Sequence, residues 1–418
     1  RSPGSFRVSS KSWVTDHLPQ KSDRGSLIPD RGASTKPYSS PAPVEMQTKR
    51  RTILVFSFEP WGAMWYSKHH YAAELAKGHT VYFVSPPDKW RLRDLLSFKL
   101  ELKPTPEGVI VVDYRNHLPL RMIPSFMARW MHYRTARKLS RLLEPDGNIL
   151  WSFHPTPLVL QRPLRTQGNR FIYHVVDPYQ SFAMDLPCAI AADLIVAVNP
   201  WFQDKYRKLN PNVLLIPHGV RSNDREQPQR FTGNYYERWS PYVVLAGGIN
   251  MRLDYGLLIE TMQRLPDLNL VMAGVMSPMV PDLEKLRIQL LTLPNVAHVG
   301  VLPPDKLSIL IDGSIAGLVA YPFEPKQEKP SQPYGSLKPL TYLTHSKPVI
   351  TTINCYIPEL TGKGVYKVEN RDEFITAVQQ AAEGGIGVDK STTERYLDEV
   401  SYGKLIVKIL QAIPPIGV

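Results

Sequence analysis

Residues 335–352 read GSLKPLTYLTHSKPVITT. Gly335 and Ser336 deliver the chain to a predicted helix start, with Ser336 as its candidate N-cap and Lys338 in its first turn. The run Pro348, Val349, Ile350, Thr351, Thr352 that follows is apolar and β-branched, which is strand chemistry. A short helix ahead of a buried strand points its N-terminus, its free N–H groups and one cation beyond a sheet. Such a point suits a phosphate or a diphosphate.

Working outward, strands and helices alternate on both sides of this segment. Thr52–Ser57 is an apolar run fit for a buried parallel strand. Further strands are expected near 79–84, 109–112, 148–151, 170–175, 193–198 and 213–216. Helices are expected near 67–77, closing at Gly78, and near 89–99, 124–143, 156–167 and 200–208. The polar stretch 219–240 reads as a linker. A second series has strands near 243–246, 268–273, 296–299, 315–320, 347–351 and 364–367, with helices near 254–264, 303–312, 337–345, 370–383 and 391–412. Repeated βαβ units imply doubly wound parallel sheets. The expected organisation is an α/β protein of two Rossmann-like domains facing a cleft, over residues 52–225 and 240–390. Residues 391–418 form a C-terminal helix and tail.

The 418 residues, 43% hydrophobic, suffice for two or three domains with true cores. Cys188 and Cys355 belong to no CxxC pair and no Cys/His cluster, which argues against a zinc site or a disulfide framework and for a reducing compartment. No apolar stretch of about 18 residues offers a membrane span, and no signal peptide is evident. The net charge of +12 is concentrated: +6 in residues 1–51, −1 in 52–88, +8 in 89–141 and −1 in 142–418. Residues 1–51 read as a disordered basic tail or an added leader, with Met46 a candidate natural start. In 89–103 and 121–143 basic residues interleave with Trp90, Leu92, Leu95, Phe98, Phe126 and Trp130. Basic amphipathic helices with aromatic edges suit an anionic membrane surface; the alternative is a core-facing helix with a solvated basic side. No nucleic-acid-binding motif accompanies the charge.

Several segments carry candidate chemistry. In YVVLAGGINMRLDYG (242–256) a strand runs into Gly247 and Gly248, followed by Ile249. The glycines either let a ligand approach the backbone or serve the turn alone. Tyr321, after the strand of GLVAYPFEP, either stacks on a base or sugar ring or is a rim aromatic. In FIYHVVDPYQSF (171–182), Asp177 stands at a strand's carboxyl end, where doubly wound sheets place ligands. It can act as a general base or cap the following turn. His154 and His218 also stand at strand ends, as ligand contacts or as neutral loop-holding groups. Glu59, Trp61 and Trp65, after the first strand, are expected to shape an acceptor pocket, unless the tryptophans plug a core edge.

Residues 336–350 resemble the nucleotide-sugar motif of GT-B glycosyltransferases, PLKxxEYLAxGKPVV. Lys338, Tyr342, Leu343, Lys347, Pro348 and Val349 match it. Thr341 stands where the motif has glutamate, and Pro333 where retaining relatives have a second, so neither can act as an acid. Over most of residues 52–385 the chain also resembles, at low identity, the xanthan-type glucuronosyltransferases and the teichuronic-acid-type transferases. The matching segments are Trp61–Ala76, HVVD (174–177), NPWF (199–202), IPHGV (216–220) and GSLK (335–338). The resemblance implies a catalytic Asp177 and a phosphate-binding Lys338. It also implies donor contacts from Gly247, Gly248, Ile249, Tyr321, Ser336, Leu337 and Thr341, and base contacts from the backbone of Val301 and Leu302.

The expectation is therefore a glycosyltransferase peripheral to the cytoplasmic face of the plasma membrane. It would move a sugar from a nucleoside-diphosphate sugar, foremost a UDP-sugar, to a lipid-linked or polysaccharide acceptor. An inverting displacement is expected, with no cofactor and no metal, and with an anionic membrane met through residues 89–141. Two other readings fit the same scaffold: a nucleotide-sugar epimerase, and a non-catalytic partner of another glycosyltransferase. Glu324 and Glu328 are acids that could yet enter the site.

Overall fold

The strand β1 (Thr52–Phe56) is buried along its whole length, as its unbroken apolar run requires when helices cover both sheet faces. In the computed structural model the described residues are 50–62, 65–88, 100–116, 123–166, 168–221, 236–323 and 337–415. After β1 come α1 (Ser67–Ala76), β2 (Thr80–Val84), β3 (Leu100–Pro104), β4 (Ile110–Tyr114) and α2 (Ser125–Leu139). Then follow β5 (Ile149–Ser152), β6 (Arg170–Val175), α3 (Asp185–Ala191), β7 (Leu194–Ala197), α4 (Pro200–Arg207) and β8 (Val213–Leu215). These eight strands form one sheet in the order β3-β4-β2-β1-β5-β6-β7-β8, parallel except for the β3–β4 pair. The order reverses between β1 and β5.

The second lobe runs β9 (Tyr242–Ala246), α5 (Tyr255–Arg264), β10 (Asn269–Ala273), α6 (Pro281–Leu291), β11 (Val296–His298), α7 (Pro304–Gly313) and β12 (Gly317–Val319). It continues with α8 (Lys338–Thr344), β13 (Val349–Thr351), β14 (Val365–Lys367) and α9 (Arg371–Ala382). Its sheet is fully parallel, in the order β11-β10-β9-β12-β13-β14, and reverses between β9 and β12. Two doubly wound α/β lobes are thus present, as the alternation predicted.

Alternation along β1 divides the core. Leu54 and Phe56 join a cluster with Ala136 and Leu139 of α2, Leu158 and Val159, Cys188 and Ala189 of α3, and Phe202 of α4. Ile53 and Val55 join a second cluster that runs through Val220, Tyr402 and Leu405 to Tyr242 and Val244 of the second lobe. Thr48–Val418 accordingly form a single compact unit.

The region 391–412, expected as one helix, is two: α10 (Lys390–Glu399) and α11 (Tyr402–Gln411). The break is held by the first lobe. Val220 N–H donates to Val400 O at 3.0 Å and Tyr402 N–H donates to Val220 O at 3.0 Å. Tyr402 then stacks on His70 and packs edge-on against Tyr71, ring centres 5.3 and 4.9 Å away. A Cβ on Gly219 would stand 2.6 Å from the Tyr402 ring, so the crossing needs that glycine.

Other expectations need correction. The helix expected over 156–167 is a 3-10 turn at Leu158–Leu160, because Pro155, Pro157 and Pro163 remove amide donors. The helices α3 and α6 were not expected. The helix expected near 89–99, the tail 1–49 and most of the linker lie outside the described residues. Residues 100–103, read as part of the first basic amphipathic segment, form edge strand β3. Lys103 there pairs with Asp113 at 2.8 Å, which offsets its charge.

Candidate active site

The carboxyl ends of β9, β10 and β11 are joined through glycines. Gly247 N–H donates to Ala273 O at 2.8 Å, and Gly274 N–H donates to Gly300 O at 2.8 Å. Gly247 and Gly274 have φ of +113° and +149°. A Cβ on Gly274 would stand 1.9 Å from Gly247 O, so no side chain fits there. Of the three expected ligand amides here, Gly247 N–H serves the sheet and Ile249 N–H donates to Val275 O at 2.9 Å. The Ile249 side chain is fully buried in the core. Gly248, exposed, is the one of the three whose N–H donates to no backbone carbonyl among the described residues.

Lys338 is the first residue of α8. Its side chain runs back over Gly247: a Cβ there would meet Lys338 Cε at 2.8 Å and Nζ at 3.4 Å. The ammonium sits 5.2 Å from the centre of the Tyr321 ring. Tyr342 fixes α8 in this place. Its buried hydroxyl accepts from Ala246 N–H at 2.8 Å, at the end of β9, and its ring occupies the space a Cβ on Gly317 of β12 would need. Sheet ends and helix start therefore bring Gly247, Gly248, Tyr321 and Lys338 together at the point where the strand order reverses.

The start of α8 departs from the expectation. Leu337 occupies the N-cap position, without a side-chain cap, and Ser336 lies outside the described residues, as do Pro333, Glu324 and Glu328. Pro339, second in the helix, lacks an N–H, so the seven-residue helix has fewer donors than expected and the cation matters more. The Thr341 hydroxyl donates to Leu337 O at 3.2 Å, back along the helix. Val301 is 59% exposed just past β11, whereas Leu302 is half-buried against the apolar cluster.

In the first lobe, Asp177 is exposed two residues past β6. Lys68, in the first turn of α1, is buried and ion-paired with Glu59 of the loop after β1. Burial pushes the Lys68 ammonium down to about 8, opposed by the Asp177 carboxylate nearby. Tyr179 donates to Phe153 O at 2.7 Å; burial, and then Asp177, push its phenol well up. His69 Nδ1 accepts from Tyr66 N–H at 3.0 Å, which leaves Nε2 to donate to Pro60 O at 3.1 Å. The loop after β1 is thus tied to α1 at two points.

His154 stands two residues past β5 with a buried Nδ1 that has no hydrogen-bond partner among the described residues. Burial, and then Lys68, lower its pKa to about 4. Trp61 packs on Phe83 and Trp65, ring centres 5.0 and 5.1 Å away, and so plugs the edge of the core. The Lys68–Glu59 pair was not foreseen. Its signal was a lysine in the first turn of a helix, where the macrodipole disfavours a cation.

No family model matches the chain, and no curated protein is detectably similar in sequence. Solved structures are similar in fold. HepE of Anabaena, in complex with UDP and glucose, has a TM-score of 0.59 at 12% identity, covering 87% of this chain and 100% of its own. The lipopolysaccharide outer core galactosyltransferase WaaB has a TM-score of 0.56 at 12% identity, with coverage of 87% and 99%. A TarM variant of S. aureus, in complex with fondaparinux, alpha-GlcNAc-glycerol and UDP, has a TM-score of 0.57 at 10% identity, with coverage of 87% and 100%. These neighbours are GT-B glycosyltransferases. At such identities they speak for architecture, and with the two parallel-sheet lobes they establish that the chain has the GT-B fold.

Proposed function

We propose that the protein is a glycosyltransferase that takes its sugar from a nucleoside-diphosphate sugar, foremost a UDP-sugar. The observation that carries this is Lys338, laid over Gly247 and beside Tyr321 at the carboxyl end of a parallel sheet. A cation there opposes the charge that develops on a departing diphosphate. The exposed Gly248 amide adds a donor, and Tyr321 offers a ring face. HepE and TarM, both solved with UDP, support the choice of nucleotide.

Asp177 is assigned the general base. Its carboxylate takes the proton of an acceptor hydroxyl. The acceptor oxygen bonds to the anomeric carbon as the bond to the diphosphate oxygen breaks. One displacement inverts the configuration, and Thr341 in place of the motif's glutamate supports that choice. Lys338 and Gly248 supply the counter-charge, and no metal or cofactor enters the scheme. The acceptor is lipid-linked or a polysaccharide, in keeping with the xanthan-type and teichuronic-acid-type resemblance. The enzyme works on the cytoplasmic face of the plasma membrane, against which the basic outer face of α2 lies.

A donor screen tests this. Nucleotide release is measured with and without lipid extract for the unsubstituted chain, Asp177→Ala and Lys338→Ala, and the product's anomeric configuration is read by NMR. Loss of transfer in both variants, with inverted product, is expected. Full activity in both would overturn the site, and a retained configuration would overturn the mechanism.

A further inference from the structure

The two helices α2 and α3 lie in one layer. Ala136 and Leu139 of α2, Leu158 and Val159, and Cys188 and Ala189 of α3 all belong to the cluster beneath that layer. Both helices pack on the same 3-10 turn, Leu158–Leu160. Their outer faces run against the ordinary pattern of a solvated helix, polar outside. On α2, Phe126, Trp130 and Tyr133 are 63%, 51% and 42% exposed, one stripe at helical spacing. Exposed Arg129, Arg134 and Arg137 flank it, with Arg134 stacked over Trp130 at 4.7 Å, and no acidic residue occurs from 123 to 143. At α3, Phe182, Leu186 and Ile190 are 45%, 51% and 61% exposed, a second stripe. The one charge between 182 and 190, Asp185, is turned inward, accepting from Tyr173 Oη at 2.8 Å and Tyr206 Oη at 2.6 Å.

Water is a poor solvent for such a surface. Apolar side chains that no core requires, next to arginines that make no ion pair among the described residues, match the two halves of an anionic bilayer interface. We infer that α3 is a second membrane contact: Phe182, Leu186 and Ile190 enter the acyl boundary while the α2 arginines meet anionic headgroups. Phe182 lies five residues beyond Asp177 in the chain. Docking through α3 therefore holds the Asp177 loop at the headgroup plane, where the reacting hydroxyl of a lipid-linked acceptor lies. The inference rests on the proposed transfer only in that last step; the docking surface stands on its own residues.

The test uses the full chain with vesicles of phosphatidylcholine, with and without phosphatidylglycerol. The Leu186→Ser/Ile190→Ser variant loses about tenfold in vesicle binding at both low and high salt, because the lost contribution is apolar. The Arg129→Gln/Arg134→Gln variant loses only the salt-sensitive part. An environment-sensitive dye on Leu186→Cys, with the unsubstituted chain as the labelling control, is quenched by spin-labelled acyl chains even where the double variant folds poorly. Unchanged binding of the α3 variant, or an unquenched dye, overturns the inference. A solution dimer that the α3 variant dissociates, with no vesicle binding, also overturns it and makes the stripe a protein interface. Nucleotide release measured without vesicles separates the two ideas. Its absence in the unsubstituted chain when detergent-dispersed lipid extract supplies the acceptor defeats the proposed transfer and leaves the vesicle result intact.

Discussion

Lys338 lies across Gly247, its Cε 2.8 Å from where a Cβ on that glycine would stand. The glycine is required twice, by its φ of +113° and by the lysine above it. Gly247→Ala is therefore expected to cost about 1–2 kcal/mol of stability from backbone strain. It also pushes the ammonium off its position, so the dissociation constant for UDP rises by about tenfold or more. Thermal unfolding and titration calorimetry check the two effects. A stability loss with unchanged nucleotide affinity would detach Lys338 from the phosphate role.

Charge and ring contribute separately at this site. Lys338→Ala is expected to lower kcat/KM by about 10²–10³, the usual cost of losing one group that faces a developing anion. The ammonium is 5.2 Å from the Tyr321 ring centre. Tyr321→Leu thus loses the cation–ring attraction, about 0.5–2 kcal/mol, and raises KM more than it lowers kcat. Steady-state kinetics at two salt concentrations check this, and the Lys338→Ala deficit shrinks as salt rises.

The same motif carries a departure that the backbone explains. Ser346 holds φ at +54°, where the GT-B motif has glycine. Its N–H donates to Leu343 O at 2.9 Å and Lys347 N–H donates to Tyr342 O at 3.0 Å, the Schellman closure of α8. Ser346→Gly is expected to stabilise the chain by about 0.5–1 kcal/mol without changing kcat. Urea unfolding checks it; a loss of stability would mean that the hydroxyl makes a contact worth more than the strain.

Most strands were legible because a buried parallel strand is apolar along most of its length, as β9 is throughout and β1 is after Thr52. What failed was amphipathic reading where helix faces do not alternate. In α6, Leu283, Leu286 and Leu290 face the core, but only Leu290 is fully buried, and Ile288, 55% exposed on another side, blurs the periodicity. In α3 the outer face is itself apolar and Pro187 interrupts the pattern. At the site, Gly247 and Lys338 could be singled out from local strand–helix grammar, and Tyr342 only through its match to the GT-B motif. For the Lys68–Glu59 pair only the misplaced lysine was a signal; its partner depends on the loop after β1 folding back onto α1, a contact that no spacing encodes.

Acid sensitivity follows from His154. Its folded pKa is about 4 against 6.5 for the free side chain, held down by burial and then by Lys68. Between those values the unfolded chain binds a proton that the folded chain refuses, so stability rises with pH across this window and is lost as pH falls through it. The contribution is on the order of 2–3 kcal/mol, fully present above about pH 6.5. His154→Gln cannot titrate. Its stability relative to the unsubstituted chain should therefore improve as pH falls from about 7 to about 4.5 and stay level above that range. His70, with a folded pKa also near 4, adds a similar slope to both proteins and cancels in the difference. Urea unfolding at several pH values gives the two curves. Parallel curves would mean that His154 is as easily protonated in the folded chain as in the unfolded one, and that the Lys68 cation does not act on it.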